Sequence, residues 1–369
     1  MVALESTSND WIPGERESHE STAHACRLLL TATDKVHLVS VKNKIPGPVP
    51  DPVERDVLSP ADREVFAPAD TPLDEETRVH NLLEHASHSA IFNNYHPSIH
   101  VIDPEGGVRE ALVAFCKGIG GGETGDSGAQ LVMMGPVRGG DGVGGVLRSL
   151  LGFGSVSEYA LHHLDVPIAV FHDVEGAMQP EGDGKKKRVL VCVDSLSVSS
   201  DASRDRDGHR DSTESLLRWV VENILGDLDV DSMHIVSCAL RAPYDIVDEE
   251  CACAIGEIME EEQARDEEMW RLAEEAVARA KAVAVGLGVA EGNVCTEVVQ
   301  ADGEDARGVV RALSKVASEG GYDVVCAGKR AMTGVARTLK RWIGEGSVSD
   351  GLTKVGCSSG MGVVVIVPD

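Results

Sequence analysis

The sequence predicts an α/β protein with two tandem copies of a doubly wound domain, each built on a mostly parallel five-stranded sheet. Three observations support this prediction: the chain length, an internal repeat, and an alternation of strand-like with helix-like segments. At 369 residues the chain is longer than the roughly 100 to 200 residues of a typical domain, so two domains are expected. The repeat divides the chain into two halves of similar order.

The repeat consists of four segments that recur in the same order in both halves. The first is an apolar strand that ends in a carboxylate and a hydroxyl, and the third is a β-branched strand that opens with histidine. The offset between the copies drifts along the chain, as expected when surface loops gain residues after a duplication. The paired segments are residues 2–6 and 191–195, 21–27 and 212–218, 37–40 and 234–237, and 152–158 and 344–350.

The second half alternates strands with helices. Its longest helix is indicated by apolar residues that recur every three or four positions from Met269 to Ala284. The alternation favours a parallel sheet with helices on both faces, because parallel strands are joined by right-handed crossovers. Predicted strands lie near residues 188–194, 232–238, 293–299, 322–327 and 361–367, and predicted helices near 211–225, 254–285, 304–318 and from Ser347 onwards.

The first half follows the same order, but its opening strand is cut short. Predicted strands lie near residues 36–41, 98–102, 129–134 and 167–172. The segment between the halves is rich in Gly, Asp and Lys, which is typical of a linker. We therefore expect a first domain at residues 1–173, a linker at 174–187 and a second domain at 188–369.

Composition excludes several classes of function. The formal net charge of -27 repels nucleic-acid phosphates, and no apolar run reaches the roughly 20 residues that span a bilayer. Nine scattered cysteines, an odd number, fit a reducing compartment better than a disulfide framework. The first residues lack the basic and apolar regions of a secretory signal. We therefore expect a cytoplasmic protein that binds neither nucleic acid nor membrane.

Three segments resemble the universal stress protein family. They are the strand that ends in Asp194 and Ser195, the strand His234–Ser237, and the run Gly154–His163. The resemblance covers nearly the whole chain, twice, and implies the Rossmann-like fold of that family. It also implies ATP or AMP with Mg²⁺, because one branch of the family holds nucleotide phosphates in a Gly-x2-Gly-x9-Gly-Ser/Thr loop after the fourth strand.

Both copies carry part of this pattern, with an intact end and an altered, lengthened start. The closing Gly-Ser-Val-Ser is present twice, whereas more residues than in the family pattern separate it from the earlier glycines. By this resemblance, the candidate nucleotide-binding residues are Gly135, Gly139, Gly154, Ser155 and Val156 in the first copy, and Asp194, Cys238, Gly328, Arg330, Gly346, Ser347 and Val348 in the second.

The resemblance also implies roles for residues of the second copy. Asp194 would hydrogen-bond the ribose or orient a metal ion, and Gly328 with Gly346 would admit phosphate oxygens. The N–H groups of Ser347 and Val348 would bind an anion at a helix N-terminus. Cys238 would contact the base through its backbone.

A basic segment favours an anion in the second copy. Between Val324 and Gly344 lie five basic residues and no acidic one, in a chain with 61 acidic against 34 basic residues. A solvated helical face is the alternative explanation, because three of the five have helical spacing. We expect the second copy to bind nucleotide better than the first. The basic residues are Lys329, Arg330, Arg337, Lys340 and Arg341.

Other patterns give weaker indications. His80, His85 and His88 have helical spacing with His96 and His100 nearby, and Cys251 and Cys253 form a single pair. Neither completes a convincing ligand set, so no metal site is expected. The chain also lacks the Gly-x-x-x-x-Gly-Lys-Ser/Thr phosphate loop and the Gly-x-Ser-x-Gly nucleophile elbow. A dedicated enzyme is therefore not expected.

The leading hypothesis is a regulatory nucleotide-binding protein of stress response or signalling, in which the nucleotide changes the surface offered to a protein partner. The alternative is a ligand-free interaction scaffold, with the two copies packed as an intramolecular pseudo-dimer or two chains as a homodimer. A third reading is slow ATP hydrolysis. Bound nucleotide without product would indicate a sensor, product an enzyme, and neither a scaffold.

Overall fold

The computed structural model describes part of the chain and divides it into two compact units. The units are Met1–Asp173, called unit one, and Val174–Asp369, called unit two. The described residues are 2–3, 25–31, 34–41, 84, 87, 95–103, 107–119, 130–134, 156–171, 186–195, 212–240, 255–301, 306–329, 348, 352 and 362–368.

Unit one contains a parallel sheet whose first strand lies in the middle. Within the unit the strand order is β3-β2-β1-β4-β5, and all four pairings between neighbours are parallel. The elements are β1 (Val2–Ala3), β2 (His37–Val41), β3 (Ser98–Ile102), α1 (Val108–Gly118), β4 (Val132–Met134), α2 (Val156–His163) and β5 (Ile168–Phe171).

Unit two repeats this order. Its strands follow β8-β7-β6-β9-β10, again with every pairing parallel. The elements are β6 (Arg188–Val193), α3 (Ser212–Asn223), β7 (Ser232–Ala239), α4 (Ile255–Gly286), a 3₁₀ turn (Glu291–Asn293), β8 (Val294–Gln300), α5 (Ala306–Gly320), β9 (Val324–Lys329) and β10 (Val363–Pro368). The predicted α/β class with a mostly parallel sheet is confirmed.

The inner strands of unit two are apolar on both faces. Val189, Leu190 and Val191 are each 0% exposed, and five of the six residues of β10 are buried. This continuous burial is expected for strands that helices cover on both sides. The strands β7 and β8 follow one another on one side of β6, whereas β9 and β10 lie on its other side. Right-handed crossovers therefore place α3 and α4 on one face of the sheet and α5 on the opposite face.

The helix α4 is longer than the sheet that it covers. Its 32 residues span about 48 Å, whereas the eight residues of β7 span about 26 Å. Residues 260–272 are exposed or half-exposed, and the buried stripe begins at Ala273 and continues through Ala276, Ala280 and Ala284. The amino-terminal part of α4 therefore extends beyond the carboxyl edge of the sheet.

A buried carboxylate fixes the loop between α3 and β7. Asp231 is 4% exposed, and its oxygens accept hydrogen bonds from the backbone N–H groups of Lys187 at 2.8 Å, Gly226 at 2.8 Å and Asp227 at 3.0 Å. These bonds satisfy backbone donors that neither a helix nor a strand would pair. They also tie this loop to the residue that precedes β6.

We expect Asp231→Ala to lower the free energy of unfolding of unit two by about 3 kcal/mol, because three backbone donors lose a charged acceptor. Urea denaturation followed by circular dichroism measures the change. Asp229→Ala, in the same loop, is the matched control and is expected to stay within about 0.5 kcal/mol of wild type. Equal effects of the two substitutions would contradict the role given to Asp231.

Candidate functional site

The strand order of unit two reverses between β6 and β9, which are direct neighbours. In open parallel sheets, ligands bind outside the carboxyl ends of the strands at this reversal. Asp194 follows the last residue of β6, and Gly328 and Lys329 end β9. The pairing of Cys192 with Ala327 sets these ends at matching heights. A carboxylate, a glycine and a lysine therefore meet at the crevice.

Two serine hydroxyls connect the ends of β6 and β7. The hydroxyl of Ser237, 0% exposed, donates to the backbone carbonyl of Val193 at 3.1 Å. The hydroxyl of Ser195, also buried, donates to the carbonyl of Cys238 at 3.5 Å. A serine hydroxyl at the end of each strand thus donates to a backbone carbonyl at the end of the other strand. These two bonds fix the backbone on both sides of Asp194.

The end of β9 borders space that no described residue fills. A methyl group added at Gly328 would meet no heavy atom of the described residues within 4 Å. The carboxylate of Asp194, across the strand pair, is half-buried. Gln300, at the end of β8, donates from Nε2 to the carbonyl of Ala239 at 3.0 Å and closes the outer side of the sheet edge. As far as the described residues form it, the crevice therefore has room at β9 and fixed walls at β6 and β7.

Cys238, a candidate site residue, has its side chain in the core of unit two. It packs with Ala301 and Ala312, and Val299 and Val309 line the same cluster. Any contact that Cys238 makes with a ligand would therefore use its backbone.

The remaining candidate residues fall into two groups. Val156 begins α2 and is 7% exposed, and Val348 is helical and half-buried. The others lie outside the described residues: Gly135, Gly139, Gly154, Ser155, Arg330, Gly346 and Ser347.

A polar cluster that the sequence reasoning missed lies on β7. Nδ1 of His234 hydrogen-bonds the phenol oxygen of Tyr322, and Nε2 lies 3.4 Å from Oε2 of Glu297. The guanidinium carbon of Arg188 lies 5.3 Å from the centre of the Tyr322 ring. Burial lowers the pKa of His234, with a smaller lowering effect from Arg188, while Glu297 acts to raise it.

The backbone makes room for this cluster. Gly321 follows the last residue of α5 with φ +59, a left-handed conformation that favours glycine. A methyl group at Gly320 would collide with the ring of Tyr322. The two glycines therefore turn the chain sharply, so that the phenol reaches His234.

A second histidine cluster lies in unit one. Nδ1 of His37 and Nε2 of His100 share a hydrogen bond of 2.9 Å, and the His100 ring lies 4.9 Å from that of Phe115 on α1. Burial lowers the pKa of both histidines. The positions correspond to those in unit two, because Val39 pairs with His100 as Val236 pairs with Glu297.

The sequence contained a signal for these two clusters. His37 and His100 are 63 residues apart, and the same separation joins His234 to Glu297.

Metal-ligand sets were sought among the same residues. The part of the chain that the structure describes contains no group of three or more His, Cys, Asp or Glu side chains that could hold a metal ion. His80, His85, His88, Cys251 and Cys253, which the sequence singled out, lie outside that part.

Every helix among the described residues is too short or too polar to cross a lipid bilayer.

Comparison with known proteins finds a likeness among solved structures. No protein-family profile matches the chain, and no curated protein matches it. A solved structure of a protein from the universal stress protein family of Burkholderia pseudomallei is similar at 14% sequence identity, over 43% of this chain and 92% of that chain, with a TM-score of 0.21. Any assignment to a family therefore depends on the motifs and the topology of the chain itself.

We expect the described cysteines to differ sharply in alkylation rate. Cys295 is exposed, whereas Cys26, Cys116, Cys192, Cys238 and Cys326 are buried. Burial raises the pKa of the Cys26, Cys116 and Cys192 thiols to about 12, and only the thiolate reacts. Iodoacetamide at pH 8, followed by peptide mass spectrometry, should label Cys295 first and the buried five only in urea. Fast labelling of Cys192 in the folded protein would contradict this burial.

We expect Tyr322→Phe to lower the free energy of unfolding by about 1 to 2 kcal/mol, because the half-buried His234 loses the hydroxyl bonded to Nδ1. Thermal denaturation measures the effect. Tyr159→Phe, which keeps the ring stacked on His163, is the control and should leave the melting temperature unchanged. A melting temperature for Tyr322→Phe equal to wild type would show that the hydrogen bond does not stabilise the fold.

Proposed function

We propose that this chain is a cytoplasmic, regulatory nucleotide-binding protein built from two tandem copies of the universal stress protein domain. ATP or AMP binds at the carboxyl edge of unit two, and binding changes the surface that the protein offers to a partner in stress response or signalling. The observation that supports this most directly is the crevice at the reversal of strand order, with Asp194 on one side and Gly328 on the other.

The likeness of the two units supports the tandem arrangement. Each unit has its first strand between the second and the fourth, and each has only parallel pairings among its described strands. Two unrelated domains need not share this order, whereas two copies of one domain must. The repeated sequence motifs fall at matching strands. His37 lies in β2, the second strand of unit one, and His234 lies at the corresponding register position of β7, the second strand of unit two.

The charges at the end of β9 and in the sequence that follows it suit a nucleotide with its cation. Lys329 ends β9, and the residues that follow it include four more basic side chains before Gly344 and no acidic one. Phosphates gain from such a local reversal of charge in an acidic chain. Mg²⁺ in proteins is typically held by one or two carboxylates together with phosphate oxygens. Asp194 is the residue that would supply the carboxylate.

The backbone at the crevice suits binding better than chemistry. The hydroxyl of Ser195 donates to a backbone carbonyl, and among the described residues no base is bonded to it that would activate it as a nucleophile. The hydroxyl–carbonyl bonds of Ser195 and Ser237 hold the strand ends in place, which lowers the entropy lost when a ligand binds. A fixed crevice whose described residues include no activated nucleophile is typical of a sensor.

We expect Gly328→Val to abolish nucleotide binding without unfolding unit two. The new side chain enters the space at the end of β9 that no described residue fills, and valine suits a strand. Gly286→Val is the matched control, because a methyl group there also meets no heavy atom of the described residues within 4 Å but lies at the end of α4. Isothermal titration with ATP, with and without Mg²⁺, measures the affinity of both variants and of wild type.

A second variant tests the carboxylate. Asp194→Ala should weaken Mg²⁺–ATP binding by about tenfold or more, because the cation loses a ligand. Gently purified wild-type protein should release ATP, ADP or AMP on denaturation, detected by mass spectrometry. Wild-type protein that carries no nucleotide and binds none would overturn the proposal and leave an interaction scaffold. Steady release of ADP during incubation would instead indicate slow hydrolysis.

A further inference from the structure

The histidine cluster of unit one differs from its counterpart in unit two in how it can respond to acid. The rings of His37 and His100 share a hydrogen bond of 2.9 Å between two nitrogens. That bond needs one nitrogen with a hydrogen and one without, so it exists only while at least one ring is neutral. Two protonated rings at this distance repel each other.

Among the described residues, the groups around the pair do not offset a positive charge. Burial is the largest effect that lowers the pKa of His37, and the charges of His100 and Lys35 lower it further. From the helix that packs on these strands, the contacting group is the apolar ring of Phe115. Protonation of the pair is therefore disfavoured in the folded unit and free in the unfolded chain.

Unit two places a carboxylate where unit one has its second histidine. Glu297 occupies the register position of His100, and its Oε2 lies 3.4 Å from Nε2 of His234. A protonated His234 would form an ion pair with Glu297, which offsets part of the free-energy cost of burying its charge. The other groups around it are Tyr322, bonded to Nδ1, and Arg188, which disfavours the proton.

We propose that the His37–His100 pair is an acid-sensitive latch between β2 and β3, which opens this side of unit one at a pH at which unit two stays closed. The latch joins strands that are paired over their whole length, from His37 with Ser98 to Val41 with Ile102. Among the described strands of unit one, β3 is the last on its side of the sheet, so its detachment leaves the order of the other described strands intact.

The direction of the effect follows from linkage. Both histidines of the latch have a folded pKa below the ordinary value of about 6.5. The unfolded or detached state then binds protons first as the pH falls, so the latch is closed above about pH 6.5 and weakens progressively below it. In unit one both His37 and His100 titrate, whereas in unit two only His234 titrates, and Glu297 compensates part of its positive charge.

Hydrogen–deuterium exchange at pH 7.0 and pH 5.5, corrected with unstructured reference peptides, tests the latch in the full chain. Between these two pH values, we expect opening of β3 amides to rise about tenfold more than opening of β8 amides, which are the internal control. Equal responses of β3 and β8 in wild-type protein would overturn the proposal without any variant.

Two reciprocal substitutions, each of which places the partner residue of one unit into the other unit, test which side chains sense the acid. His100→Glu copies the pairing of unit two into unit one and should remove the acid response of β3. Glu297→His copies the histidine pair into unit two and should give β8 an acid response. A β3 response that survives His100→Glu would show that another group senses the acid. His162→Ala, at the exposed end of α2, is the histidine control and should leave both responses unchanged.

Discussion

Parallel pairing of the first strand on both of its edges is the constraint on which each unit depends. A strand in this position can leave no backbone group for water, so its N–H and C=O groups must all find partners in its two neighbours. In unit two, Val189 to Cys192 pair with β7 on one side and with β9 on the other. The apolar side chains of β6 then face helices on both sides, which explains its continuous burial.

That same constraint creates the candidate site. When the first strand is central, the next strands are added on one of its sides and the later strands on its other side. The crossover connections of the two strands at this reversal then lie on opposite faces of the sheet, so no connection covers the space between the ends of these strands. The crevice above β6 and β9 is thus a result of topology, and the residues that end these strands determine what it binds. The reciprocal bonds of Ser195 and Ser237 add rigidity on one side of it.

Sequence patterns predict what depends on local order. Apolar periodicity places the long helix at 254–285, and the structure has it at Ile255–Gly286. The strand predicted at 322–327 begins two residues later, at Val324. The two residues before it bond to other strands through their side chains: Tyr322 to His234, and the Asp323 carboxylate to the N–H of Arg188. Periodicity does not detect such side-chain contacts with distant strands.

For the candidate site, the sequence motifs predict Asp194 and Gly328, which lie directly after β6 and near the end of β9. They do not predict the bond of Ser237 to Val193 or the two histidine clusters. These depend on which residues of neighbouring strands stand at the same height, and that register is fixed by the folded sheet. An internal repeat carries this information only when spacings within the copies are compared, as the shared 63-residue separation shows.

The length of α4 gives one continuous helix two regimes of stability. From Ala273 onwards its backbone bonds are protected by a buried stripe, and opening them requires much of unit two to open. Ahead of Ala273, residues 260–272 depend on helix propensity and on surface ion pairs such as those of Arg271 with Glu268 and Glu275. Fraying therefore progresses from the amino end and halts at the first buried alanine, where the sheet begins to support the helix.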